Sequence, residues 1–291
     1  MTTNPVKTGV VGVGQMGRGI ARNLEKKGVL GAVFDTHENA VADFAVPVLS
    51  GQAMVDAVDV ILFVVPSTAQ VADFLAGCKG SQTIVVDLTT SDPTQSVALG
   101  SDLGARGCHY IDAAMTGGAV GADAGSLTLM AGGEAAQIAL LEPIFDPISN
   151  HVFHLGPVGS GHTMKLIHNL ILHSSFMATC EGLRLADRAG LDLTAAVDVL
   201  NAGNARSFVT EVRFPRDILS GTMNGRSTVS NLTKDLGLGA DMAKSLDGPA
   251  PFTELTVALL EAAREAGYAD SDFTNLFPIY DHLAHSVESK A

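Results

Sequence analysis

In the first half of the chain, apolar residues come in short runs separated by stretches of helical spacing. Lys7–Val13, Gly31–Asp35, Val58–Val65, Thr83–Leu88, His109–Asp112 and Ser126–Met130 are rich in apolar and β-branched side chains, the pattern of buried strands. Arg18–Gly28 has helical spacing and closes on a glycine. Repeated strand–helix units predict a mostly parallel sheet with helices on both faces, and ligands on such sheets bind beyond the carboxyl ends of the strands. Asp35, Pro66, Thr90 and Asp112 fall at those ends.

Beyond residue 159 the pattern is helical throughout. Gly159-Ser160-Gly161 breaks the chain, and Leu166, Ile167, Leu170 and Ile171 then cover most of a helix circumference, which predicts burial. Lys165, Asn169 and His173 recur every four residues and share one face, with His162 a turn earlier. An ammonium left unpaired away from water is costly. Either this lysine snorkels from the start of its helix, or it is catalytic and positioned by Asn169. Further helices are expected over Ala178–Ala189, Leu193–Leu200, Asn231–Leu246 and Glu254–Ala266, with a break at Gly248, Pro249 and Pro251.

At 291 residues the chain is long for one domain, so two are expected. Apolar residues make up 46%, enough for real cores, and a mean hydropathy of +0.27 suggests either much helix burial or a large subunit interface. The net charge of −13 argues against non-specific binding to nucleic acid or acidic membranes. Cys78, Cys108 and Cys180 are few, odd in number and widely spaced, which points away from a disulfide framework or zinc site and towards a reducing, cytoplasmic setting. No apolar run approaches the roughly 20 residues of a membrane span, and the early residues read as carrying no leader. His151, His154, His282 and His285 show no ligand spacing, so no metal is expected.

Gly12-Val13-Gly14-Gln15-Met16-Gly17 sits where the first strand turns into the first helix, the context in which Gly-x-Gly-x-x-Gly binds a dinucleotide. Gly12 permits the tight turn, Gly14 lets a pyrophosphate approach, and Gly17 allows close packing, with the helix N-terminus facing the phosphates. Asp35 ends the second strand 21 residues after Gly14, where a carboxylate accepts hydrogen bonds from the ribose of NAD. A 2′-phosphate there would meet repulsion of about 4 kcal/mol per charge pair at about 4 Å. Thr36 and His37 follow rather than an arginine, so NAD is favoured over NADP. The glycine-rich stretch Thr116–Gly125 suits either a carboxylate cradle or a flexible connector.

Four stretches in the same order resemble the β-hydroxyacid dehydrogenase family, whose members include 3-hydroxyisobutyrate dehydrogenase, tartronate semialdehyde reductase and L-threonate dehydrogenase. They are Gly12–Gly17 with Asn23-Leu24; Asp112–Gly118 running on to Gly133; Gly156, Gly159, Gly161, Lys165 and Asn169; and Lys234-Asp235-Leu236. Ala114, Met115 and Thr116 stand where the family usually has proline, valine and serine, and His168 where many members have asparagine. Lys165 itself counts against the related imine reductases.

The resemblance implies an α/β Rossmann-type N-terminal domain over 1–159 and an all-α C-terminal domain over 160–291, joined by a long interdomain helix, with the active site between them. It implies a homodimer or homotetramer through the helical half. The expected reaction is hydride transfer between NAD and the alcohol of a small β-hydroxyacid, a carboxylate substrate. Lys165 would act as general acid and base with Asn169 beside it, and Thr116, Gly117 and Gly118 would hold the substrate carboxylate. The residues from Gly12 to Gly17, with Asp35, Val65, Pro66, Thr90 and Lys234, would bind the coenzyme. Two rivals are an NADP-dependent semialdehyde reductase on the same scaffold and a non-catalytic NAD-binding module. A decarboxylating 6-phosphogluconate-type enzyme needs a far longer helical domain. Arg206 is a candidate for a second substrate anion, while Arg213, Arg216 and Arg226 are assigned no role.

Overall fold

A computed structural model describes residues 6–80 and 82–290. The β-branched runs form strands β1 (Thr8–Val11), β2 (Leu30–Phe34), β3 (Val60–Phe63), β4 (Ile84–Asp87), β5 (His109–Thr116), β6 (Leu127–Gly132) and β7 (Ser149–Gly156). Their order in the sheet is β2-β1-β3-β4-β5-β6-β7. The first five are parallel; β6 returns antiparallel to β5, and β7 pairs parallel with β6. Between them lie α1 (Gln15–Lys26), α2 (Glu38–Val41), α3 (Gly51–Ala57), α4 (Thr68–Phe74), α5 (Pro93–Ala105), α6 (Gly118–Ala124), α7 (Ala135–Leu140) and α8 (Glu142–Phe145).

Alternate residues of each central strand go to opposite faces. Val10, Leu62, Val86 and Ile111 pack with Ala21, Leu24 and Ile144 on one side. Val11, Ile61, Phe63 and Val85 pack with Val71, Leu75 and Leu99 on the other. Burial on both faces is why these strands read as continuous apolar runs. The strand order reverses at β1, which lies between β2 and β3 and so opens a crevice at its carboxyl end.

Three local expectations change. Strand β5 runs on to Thr116, so Asp112 lies inside it, in register with Asp87 of β4 and Gly132 of β6. Most of the glycine-rich stretch is helix α6 rather than connector. Its small residues let it lie against α1, where Gly19 meets the backbone of Ala122 and Asn23 Nδ2 donates to the Ala122 carbonyl at 2.9 Å. That packing outweighs the low helix propensity of glycine. Strand β7 was not anticipated; it forms the sheet edge, and its run of exposed residues from Asn150 to Leu155 carries no buried-strand signature.

The second half is helical. Helix α9 spans Ser160–Arg188 without interruption, so the two expected runs on either side of residue 175 are one element of 29 residues. It is followed by α10 (Leu193–Ala202), a π-helix (Val209–Leu219), α11 (Val229–Ser245), α12 (Pro251–Glu265), a 3₁₀ turn (Phe273–Asn275) and α13 (Leu276–Glu288). The chain divides into two compact units between Lys165 and Leu166. The second unit is built on Phe176, Phe214, Phe273 and Phe277, whose rings meet in edge-on and tilted pairs with centroids 5.2 to 6.2 Å apart. Tyr280 donates its hydroxyl to Glu181 at 2.8 Å, and burial together with that carboxylate pushes the phenol pKa well up.

Two of the arginines assigned no role, Arg213 and Arg216, have a structural partner here, as does the anion candidate Arg206. Asp217, buried, accepts from Arg213 at 3.1 Å and from Arg216 at 2.7 Å. Burial pushes the Asp217 carboxyl up, but the two guanidinium groups more than reverse this. Arg206, largely exposed, pairs with Glu211 at 3.6 Å.

Truncating Phe176 to alanine should cost about 3–5 kcal/mol, because the surrounding rings can collapse only partly into the space. Urea denaturation followed by far-UV circular dichroism checks this; a loss below about 1 kcal/mol would mean that the aromatic cluster does not hold the helical unit together.

Candidate active site

The turn from β1 into α1 is pressed against its neighbours. Gly12 has φ +89°, and a Cβ there would collide with the carbonyl oxygen of Val64. A Cβ on Gly17 would collide with the Gly12 carbonyl oxygen. Gly14 differs: nothing lies within 4 Å of where its Cβ would stand, so the backbone there is open to a ligand. Gln15 and Met16 begin α1, whose first turn carries no acidic side chain to compete with an anion for the free amides. Val13 has its side chain buried in the core and its amide donated to Asp35.

Asp35 follows the last residue of β2. Its Oδ2 accepts the Val13 N–H at 2.7 Å, and its Oδ1 accepts the His37 N–H at 2.9 Å with the His37 ring 3.3 Å away. Partial burial raises the Asp35 pKa, but the His37 and Val13 amides and the imidazole outweigh it, so the carboxyl titrates below its usual range. Oδ1 is shared by the His37 amide and ring, while Oδ2, which takes the Val13 amide, has room for a second donor. Asp35 therefore presents an acceptor beside the turn from β1 into α1. Val65 and Pro66 follow β3, and Thr90 follows β4. Their loops are tied together where the Thr68 N–H donates to Ser91 Oγ at 3.2 Å.

Asp112 is fully buried, and its carboxylate serves the start of α9 rather than a ligand crevice. Oδ1 accepts the Gly159 N–H at 2.7 Å and Oδ2 the His162 N–H at 2.8 Å. Burial raises the Asp112 pKa, opposed by His162 and by these amides. A Cβ on Gly161 would collide with the Met130 carbonyl oxygen, so only glycine lets α9 begin against β5 and β6. Lys165, half-buried, comes one turn after His162. At the far end of β5, Thr116, Gly117 and Gly118 make the turn into α6.

In the helical unit, Asn169 is 2% exposed and donates through Nδ2 to Asp235 Oδ2 at 2.9 Å. Its Oδ1 lies 3.1 Å from His168 Nδ1. Lys234 Nζ is 3.1 Å from Asp235 Oδ1. The structure thus brings Asn169 and Lys234 onto one carboxylate. Sequence reasoning quoted Asp235 as part of a motif but gave it no role; an acid directly after an expected cofactor lysine was the available signal. Among the described residues, no group of three or more His, Cys, Asp or Glu is arranged to hold a metal ion, and no helix is long and apolar enough to cross a membrane.

Comparison with known proteins covers both halves of the chain. Residues 7–156 match the family model for the NAD-binding domain of 6-phosphogluconate dehydrogenase. Residues 159–280 match the model described as NAD-binding of NADP-dependent 3-hydroxyisobutyrate dehydrogenase. The L-threonate dehydrogenase of Escherichia coli O6:H1 is 30% identical over 97% of each chain. The 2-(hydroxymethyl)glutarate dehydrogenase of Eubacterium barkeri is 28% identical over 96% of each chain. A solved 3-hydroxyisobutyrate dehydrogenase of Mycobacterium tuberculosis, bound to L-serine, shares the fold with a TM-score of 0.86 at 23% identity, covering 95% of this chain and 99% of that one. With a dinucleotide turn, a buried anchor for the lysine helix and full-length relatives in agreement, the chain belongs to the NAD(P)-dependent β-hydroxyacid dehydrogenase family.

Proposed function

We propose that the protein transfers a hydride reversibly between NAD and the alcohol carbon of a small, 3-hydroxyisobutyrate-like β-hydroxyacid, with Lys165 as general acid and base. The observation that carries this reading is the anchoring of the lysine helix on β5. Asp112 holds the Gly159 and His162 amides, and the same strand ends four residues later at Thr116. One rigid strand thereby supports both the base and the group assigned to the substrate carboxylate.

In this reading Thr116 offers its hydroxyl, and Gly117 and Gly118 their amides, to the carboxylate. Fixing that end orients the alcohol, and such positioning lowers the barrier before any proton moves. When bound, the nicotinamide supplies the hydride acceptor. Lys165, as the neutral amine, takes the hydroxyl proton during oxidation; as the ammonium, it returns that proton to the carbonyl oxygen during reduction. Asn169, braced by Asp235, orients the amine, and Lys234 contacts the coenzyme together with the backbone from Gly12 to Gly17, Asp35, Val65, Pro66 and Thr90. Residues 1–159 form the coenzyme domain and 160–291 the helical domain.

The full-length relatives act on threonate and on hydroxymethylglutarate, which supports a hydroxycarboxylate substrate. The exposed apolar side chains Ile171, Val199 and Phe252 support a homodimer or homotetramer through the helical half. Three buried free cysteines are in keeping with a reducing, cytoplasmic compartment.

A Lys165→Ala variant should bind NAD normally by calorimetry and lose roughly 10²–10⁴-fold in kcat; near-parental turnover would refute the assignment. A panel of 3-hydroxyisobutyrate, glycerate, L-threonate, serine and phenylserine, assayed with NAD and NADP, identifies the substrate. Asp35→Ala should weaken NAD and raise the relative use of NADP, so an unchanged kcat/KM ratio between coenzymes counts against the ribose role. The depressed Asp35 pKa also makes a stability prediction, since its contribution is present above the ordinary carboxylate range and lost as pH falls through the lowered value. Asp35→Asn should therefore melt below the parent at neutral pH, and the gap should close in acid.

A further inference from the structure

We infer that His162 is a positioning residue for Lys165, its buried imidazole fixing the first turn of α9 and with it the point from which the lysine side chain departs. The inference rests on the general acid–base role proposed for Lys165. His162 is 0% exposed, three residues before the lysine and on the same side of the helix. Three elements of the sheet unit hold it. Its amide donates to Asp112 on β5 at 2.8 Å, its Nδ1 lies 2.6 Å from Ser96 Oγ on α5, and its Nε2 faces Asp87 Oδ1 at the end of β4 from 3.9 Å.

A side chain that merely filled this space would have no need of ring nitrogens, because an imidazole with an unsatisfied nitrogen is penalised in the interior. Nε2 makes no hydrogen bond. The Ser96 hydroxyl reaches the Asp92 carbonyl at 3.2 Å but is closer to Nδ1. Donation to Nδ1 leaves the proton on Nε2, pointing its dipole at the Asp87 carboxylate. Asp87 cannot swing over to close the gap. Thr68 Oγ1 and Tyr110 OH each donate to its Oδ2 at 2.8 Å, and the Thr89 N–H donates to its Oδ1 at 3.0 Å. Thr68 and Thr89 adjoin the loops that carry Pro66 and Thr90. One fixed carboxylate therefore faces the lysine helix through His162 and holds the two loops assigned to the coenzyme. The titratable groups paired with His162 are Asp87 and Asp112; Lys165 is the nearest cation along its own helix, with Arg184 and Arg188 at the far end.

The test combines His162→Leu, His162→Gln and Ser96→Ala, each in the parent and in the Lys165→Ala background. His162→Leu should lower kcat about tenfold or more, since small misplacements of a catalytic group are costly, while KM and the NAD dissociation constant stay within about threefold. It should also shift the pH profile of kcat and change the rate at which Lys165 is reductively methylated in the coenzyme-free protein, read by mass spectrometry. His162→Gln should restore part of kcat. In the Lys165→Ala background the His162→Leu factor should shrink to within about twofold, as expected for groups that act as a unit. An equal factor in both backgrounds, a loss confined to KM or NAD binding, or unchanged Lys165 labelling overturns the inference. Should His162→Leu fail to fold, Ser96→Ala, which removes one hydroxyl, carries the same comparison. Near-parental activity of Lys165→Ala alone would remove the lysine reading itself, and is seen before any His162 variant is made.

Discussion

The structure depends on where a single buried carboxylate finds its donors. Asp112, inside β5, has no access to water and takes the amides of Gly159 and His162 instead. A buried charge without such partners would be costly, so the first turn of α9 cannot begin elsewhere without leaving that charge bare. The surrounding glycines enforce the same geometry. A Cβ on Gly132 would stand 2.6 Å from Asp112 Oδ1, and one on Gly161 would run into the Met130 carbonyl. Strand, carboxylate and helix start are thus a single mechanical piece.

The same device appears twice in the sheet, turned to different uses. Asp35 also receives backbone amides, from Val13 and His37, but it stands one residue past the end of β2. Its environment lowers its pKa, whereas burial raises that of Asp112. Through β1, β3 and β4, Asp112 is in register with Phe34, one position before Asp35, so the two carboxylates stand at nearly the same level of the sheet, and the one under the start of α9 is spent on the protein's own backbone.

Much of this was legible in the sequence, for stated reasons. Strands buried on both faces leave long apolar runs, so β1, β3 and β4 were plain, as was the glycine turn that β1 feeds. Lys165 and Asn169 stood out because helical spacing put polar groups on a largely apolar helix. What could not be read depended on contacts distant along the chain. Strand β7 is an edge whose side chains meet solvent, and α6 is helical because α1 presents Gly19 and Asn23 to it. Asp112 lies mid-strand because β6 folds back along it, and Asp235 matters because a helix some sixty residues earlier places Asn169 against it.

The two hydrogen-bonded phenols have a spectroscopic consequence. The chain contains no tryptophan and only three tyrosines, so its near-ultraviolet signal is sparse. Tyr110 lies in the sheet unit and Tyr280 in the helical unit, and each donates its hydroxyl to a carboxylate. Burial and those carboxylates hold both phenols protonated well beyond their ordinary range. As the solution turns alkaline, neither ring becomes tyrosinate while its own unit stays packed, and the preference of the unfolded chain for the ionised form then weakens the fold. Each half of the molecule therefore carries one such hydrogen-bonded ring as an optical marker of integrity, with Tyr268 a further phenol in the helical unit.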